Sequence, residues 1–125
     1  MKNYTASVSY TSRELTKKET VRLKDLTDAI ALDSATNEGE NLVIKPAYSA
    51  ILDIHNENAR DKDYKKYVIV TEDGLKFVTG SESFWDAFTN IVTEMEDSDE
   101  EWSLNVYKVP SKKYAGKGFL TCSVI

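Results

Sequence analysis

Polar and apolar residues alternate from the start of the chain. Tyr4, Ala6, Val8 and Tyr10 fall on one side of residues 3–10, and Asn3, Thr5, Ser7 and Ser9 on the other. A period of two marks a half-buried strand. Thr16 followed by Glu19 has the spacing of a capping box opening a short helical turn. From Val21 to Leu32 the pattern is ambiguous. Val21-Arg22-Leu23 and Ala29-Ile30-Ala31-Leu32 fit two short strands around a turn at 25–28, and 33–41 reads as a loop. Period two returns over 47–55, with Tyr48, Ala50, Leu52 and Ile54 on one face. Residues 65–71, holding Tyr67, Val68, Ile69 and Val70, form a second β-rich run. The Asp73-Gly74 pair accepts positive φ, so a tight turn is predicted there, followed by a strand over 75–79.

The period then changes. Phe84, Phe88, Ile91, Val92 and Met95 lie on one stripe of a helix that Ser81 or Ser83 can cap, which predicts one main helix over about 83–95. The acids after Met95 oppose the helix dipole, so the helix is expected to stop there. Alternation resumes over 101–109 (Trp102, Leu104, Val106). A loop at 110–118 then leads to a last strand over 119–125. This order predicts a β-rich α+β fold. Short strands with one late helix suit a five-stranded, partly open barrel of the oligonucleotide/oligosaccharide-binding (OB) type. A plain α+β sandwich is the alternative. With no internal repeat and no low-complexity linker, the 125 residues are expected to form a single domain, 1–125.

Charge refines this picture. The formal net charge is −5. Six acids (Glu94, Glu96, Asp97, Asp99, Glu100, Glu101) fall in eight residues without a base, and the remainder of the chain sums to +1. Lys108, Lys112, Lys113 and Lys117 span a stretch without an acid. Screening over about 8 Å lets such a local patch act independently of net charge. No apolar run reaches the ~20 residues of a membrane span. The N-terminal residues alternate instead of forming a signal-peptide core. With one cysteine, Cys122, no internal disulfide is available, so a reducing, cytoplasmic setting is expected.

Catalytic chemistry finds little support. One histidine (His55) and one cysteine make no metal-ligand spacing, the five glycines form no phosphate loop, and no Gly-x-Ser-x-Gly elbow is present. The acidic run lacks the central glycine of a calcium loop. We therefore expect no enzyme, no metal and no cofactor. The most informative stretch is 108–119. It combines Lys108, Lys112, Lys113 and Lys117 with Tyr114 and two glycines, the cations and aromatic face that sequence-tolerant single-strand binding requires. A weaker second case is 58–67, where Arg60, Lys62, Lys65 and Lys66, offset by Asp61 and Asp63, stand beside Tyr64 and Tyr67. Tyr48, Tyr67 and Phe77 alternate with charged neighbours and could line a sheet face, and Lys76 completes the nucleic-acid-binding candidates.

The second half of the chain also resembles a known family. Residues 67–88, YVIVTEDGLKFVTGSESFWDAF, give a strand, an Asp-Gly turn, a strand and a Ser-capped helix. Residues 102–125, WSLNVYKVPSKKYAGKGFLTCSVI, give a closing hairpin with a Ser/Lys/Gly-rich tip. This layout resembles the small single-stranded-DNA-binding proteins of phages and integrated mobile elements of Gram-positive bacteria, most of all those of phages that replicate by protein priming. The resemblance covers about 80 residues. It implies a cytoplasmic OB-type domain, within a bacterial host, that coats single-stranded DNA during replication or recombination. It points to Lys112, Lys113, Tyr114 and Lys117, with Tyr48 and Tyr67. Homo-oligomerisation is compatible with that role. The N-terminal 40 residues lack a counterpart, and the acids are internal where many such proteins carry them in a tail. A second reading therefore stays open: a protein-interaction or inhibitor module whose protein partner meets the acidic segment 94–101.

Overall fold

The computed structural model describes residues 4–36, 40–58, 60–110 and 118–125. In chain order its elements are β1 (Thr5–Thr11), α1 (Lys17–Lys24), β2 (Ile30–Ala31), α2 (Leu32–Ala35), β3 (Leu42–Ile44), β4 (Pro46–His55), β5 (Asp63–Thr71), β6 (Lys76–Thr79), α3 (Glu82–Met95), β7 (Leu104–Pro110) and β8 (Gly118–Val124). The strands form a five-stranded sheet, order β1-β4-β5-β6-β2, and a three-stranded sheet, order β3-β7-β8; no closed barrel forms among the described residues. The fold is β-rich α+β. The chain divides into two compact units, Met1–Ile30 with Ala47–Gly80, and Ala31–Pro46 with Ser81–Ile125.

In the first unit, register assigns side chains to two faces of the sheet. Ala6 pairs with Ile54 and Val8 with Leu52, while Val68 pairs with Val78. These residues share a face with Ala50 and Val70, and Leu23 of α1 packs into the same cluster. Burying a side chain of this kind contributes about 1.5–3 kcal/mol. Val21-Arg22-Leu23, ambiguous in the sequence and compatible there with a short strand, is helical. The capping box forms in full: the Thr16 hydroxyl accepts from the Glu19 amide at 3.1 Å, and the Thr16 amide donates to Glu19 Oε1 at 3.0 Å. A one-sided apolar demand, met by Leu23 while Val21 stays 67% exposed, then suffices to hold the helix. Only Ile30–Ala31 of the second expected strand is extended, and Leu32–Ala35 is a single helical turn where a loop was expected.

The alternation of β1 breaks once. Val8 faces Leu52 but Tyr10 faces Ile51, so Ser9 is an extra residue, a bulge that turns Tyr10 outward. The β5–β6 turn forms as expected. Gly74 adopts φ +87°, a conformation that costs other residues, and the Thr71 hydroxyl accepts from the Leu75 amide while donating to the Asp73 carboxylate.

In the second unit β3, β7 and β8 pair antiparallel, from Leu104↔Val124 to Pro110↔Gly118 on the long ladder. Helix α3 packs against β8. Ser81 caps it, its hydroxyl accepting from the Phe84 amide at 3.1 Å, and it ends at Met95 as its acids require. Phe84, Trp85 and Phe88 are buried with Leu104, Val106, Leu120 and Cys122. The Phe84 and Phe88 rings stack at 6.1 Å.

Candidate nucleic-acid interface

The first unit separates the candidate residues by face. Tyr48, at the start of β4, and Tyr64, near the start of β5, both pack against the Leu23 cluster. The Asn56 amide donates to the Lys62 carbonyl at 2.7 Å and closes the β4–β5 hairpin. The two tyrosines therefore stand at opposite ends of one sheet face, about 20 Å apart at ~3.3 Å per residue. Each is overlain by a cation. The Arg13 guanidinium lies 4.2 Å from the centre of the Tyr48 ring, and Lys66 Nζ lies 5.9 Å from that of Tyr64.

Arg13 was not legible as a site residue from the sequence. It stands in the segment between β1 and α1, and its partner is the capping-box glutamate, with Nη2 to Glu19 Oε2 at 2.7 Å. That charged hydrogen bond, more than any other contact, holds the Glu19 carboxyl down to about 2. Burial pushes the Tyr48 phenol up, against the nearby charges of Arg13 and Arg22. Arg13, Arg22 and Tyr48 line one cleft of about 520 Å³ beside α1.

Lys76 shares that face yet serves the fold. Its ammonium donates to the carbonyls of Arg22 and Asp25 and approaches the Asp28 carboxylate at 3.2 Å. It neutralises the C-terminal end of α1, so its ammonium is engaged within the fold. Tyr67 and Phe77, also candidates from the sequence, are buried. They lie on the opposite face, 7% and 3% exposed, and no ring surface is open for a base.

Lys65 is on that opposite face too, paired with Asp53 at 2.7 Å, which raises the lysine's pKa. Nearby, both ring nitrogens of His55 are engaged, Nδ1 by Asp63 at 2.7 Å and Nε2 by Glu57 at 2.6 Å, and Lys62 joins Glu57 at 3.3 Å. The Asp63 hydrogen bond, then that of Glu57, raises the histidine's pKa. This is an ion-pair cluster; among the described residues no group of His, Cys, Asp or Glu is placed to hold a metal ion. Arg60 is exposed in the same connection.

In the second unit Lys108 Nζ donates to the Asp33 carbonyl at 2.6 Å. Lys112, Lys113, Tyr114 and Lys117 lie outside the described residues. All six acids of 94–101 are exposed, Glu94 in the last turn of α3 and the other five beyond it. Cys122 is buried, its thiol pushed up to about 12 by burial. No helix among the described residues is long and apolar enough to cross a membrane. No family model, no curated protein and no solved structure matches the chain.

Proposed function

We propose that this protein binds single-stranded DNA without sequence specificity and without catalysis, in the cytoplasm of a bacterial host, during replication or recombination of a phage or mobile element. The observation that carries this reading is the pair of cation-overlain tyrosines, Arg13–Tyr48 and Lys66–Tyr64, on one face of the five-stranded sheet. Unpaired bases stack on aromatic and guanidinium planes while cations follow the backbone, an arrangement that tolerates any sequence. In this reading the sheet plays the part of an open OB-like strand array.

The sequence of the second unit supports the same reading, with Lys112, Lys113, Tyr114 and Lys117 between residues 111 and 117. Lys108 precedes them on β7, while at the β4–β5 connection Arg60 and Lys62 are offset by Glu57, Asp61 and Asp63. A net charge of −5 disfavours strong non-specific attraction to duplex and fits selectivity for the unpaired form.

The test is fluorescence anisotropy of a labelled oligo-dT titrated with the protein at low and moderate salt, beside a duplex of the same length. The reading expects saturable binding to the single strand, weakened by salt through counterion release, and much weaker binding to the duplex. Absence of single-strand binding at low salt would overturn it.

A further inference from the structure

The cleft beside α1 has the chemistry of a nucleotide subsite; among its residues the sequence singled out Tyr48 and Lys76, but neither Arg13 nor Arg22. One wall is the Tyr48 ring, covered by the Arg13 guanidinium at 4.2 Å. Arg13 is exposed on its outer side and steered from behind by Glu19, whose other oxygen is fixed by the Thr16 amide. Its plane is thus held over the ring by a carboxylate itself locked into a helix cap. Three residues along α1, Arg22 lines the same cleft. Its guanidinium is exposed and has no hydrogen-bond or ion-pair partner among the described residues. A free guanidinium presents a fork of donors suited to a phosphate.

Four acids line the cleft; Glu72, in the β5–β6 turn, is exposed, and the other three are engaged. Glu19 holds Arg13, Asp25 Oδ1 accepts from the Thr27 amide and hydroxyl, and Asp28 faces Lys76. Lys76 also ties β6 to the end of α1, which keeps the far wall in place. A volume of about 520 Å³ is within the range that small-molecule sites occupy and is ample for one nucleotide.

We infer that this cleft takes one unpaired nucleotide of a bound single strand, its base stacked with Arg13 and Tyr48 and its phosphate on Arg22. The inference rests on the single-strand-binding reading and assigns it a subsite in the first unit, apart from the 111–117 connection. Arg13, held over Tyr48 by Glu19, then offers the outer plane on which the base stacks, while Arg22 supplies the charge.

The experiment uses the full chain and an oligo-dT carrying 5-iodouracil, irradiated in the complex and mapped by mass spectrometry, with anisotropy titrations of Arg13→Ala, Arg22→Ala and Tyr48→Leu. A cross-link on Tyr48 or its flanking peptide is expected in the unaltered protein, which does not depend on any variant folding. Tyr48→Leu should weaken binding at least about fivefold, the lower end of what one stacked base contributes, and Arg13→Ala should weaken it in the same direction. Arg22→Ala should reduce the slope of log K against log salt by about 0.7, the loss of one phosphate contact on a single strand. Binding that persists with cross-links only elsewhere and unchanged affinity in all three variants would overturn the subsite and leave the function standing. No binding by the unaltered protein would overturn both.

Discussion

Lys76 Nζ donates to the Asp25 carbonyl at 2.6 Å, so a strand residue closes the end of a helix fifty-one positions earlier in the chain. The same ammonium reaches the Arg22 carbonyl, and its side chain is only 10% exposed. Hydrogen bonds from a charged donor contribute about 1.5–3 kcal/mol. Lys76→Met keeps the aliphatic stem and removes the charge. We expect it to lower stability by about that amount, read as a reduced urea midpoint; an unchanged midpoint would show that water replaces the ammonium without loss.

His55 sits between two carboxylates and should titrate above its ordinary 6.5. A raised folded-state pKa means that its contribution to stability is full below 6.5 and disappears as pH rises through the folded value. Glu57 is shifted the other way, chiefly by His55, so its share is present above 4.5 and is lost as pH falls. The cluster is therefore complete between the carboxylate range and the raised histidine value. Following the imidazole resonances by NMR checks this, and Asp63→Asn should move the midpoint back toward 6.5.

Cys122 should resist modification in the folded protein. Its thiol is pushed up to about 12 by burial, leaving almost no thiolate at neutral pH. Reaction with a thiol reagent is expected to be slow in buffer and rapid in denaturant. Equal rates in both would show that β8 opens readily.

Gly74 is the described glycine with positive φ, and a Cβ there would meet nothing within 4 Å. Gly74→Ala thus isolates backbone strain from steric clash and should cost about 1–2 kcal/mol in equilibrium unfolding. Gly74→Asn should cost less, since asparagine tolerates the left-handed region.

Local pattern was legible where one residue type answers one local demand. The α3 stripe, the Ser81 cap, the Thr16–Glu19 box and the Asp-Gly turn all follow from neighbours within a few positions. What escaped the sequence depends on pairing across the chain. The side of Tyr10 is decided by a bulge against β4, and the burial of Tyr67 and Phe77 by which sheet face they meet. The Arg13–Tyr48 stack joins residues thirty-five positions apart. Lysines looked alike in the sequence, yet Lys76 caps a helix, Lys65 pairs with Asp53, and Lys66 covers Tyr64.

The bulge at Ser9 has a bearing on solubility. Among the described residues β1 is an outer strand of its sheet, with one row of backbone amides and carbonyls unclaimed by a neighbouring strand. Such a row, when regular, is a template on which another molecule can add a strand and start a polymer. The extra residue between Val8 and Tyr10 breaks the spacing of that row near its middle and increases the local twist. The interruption that sends Tyr10 outward thus also guards the molecule against aggregating through its own edge.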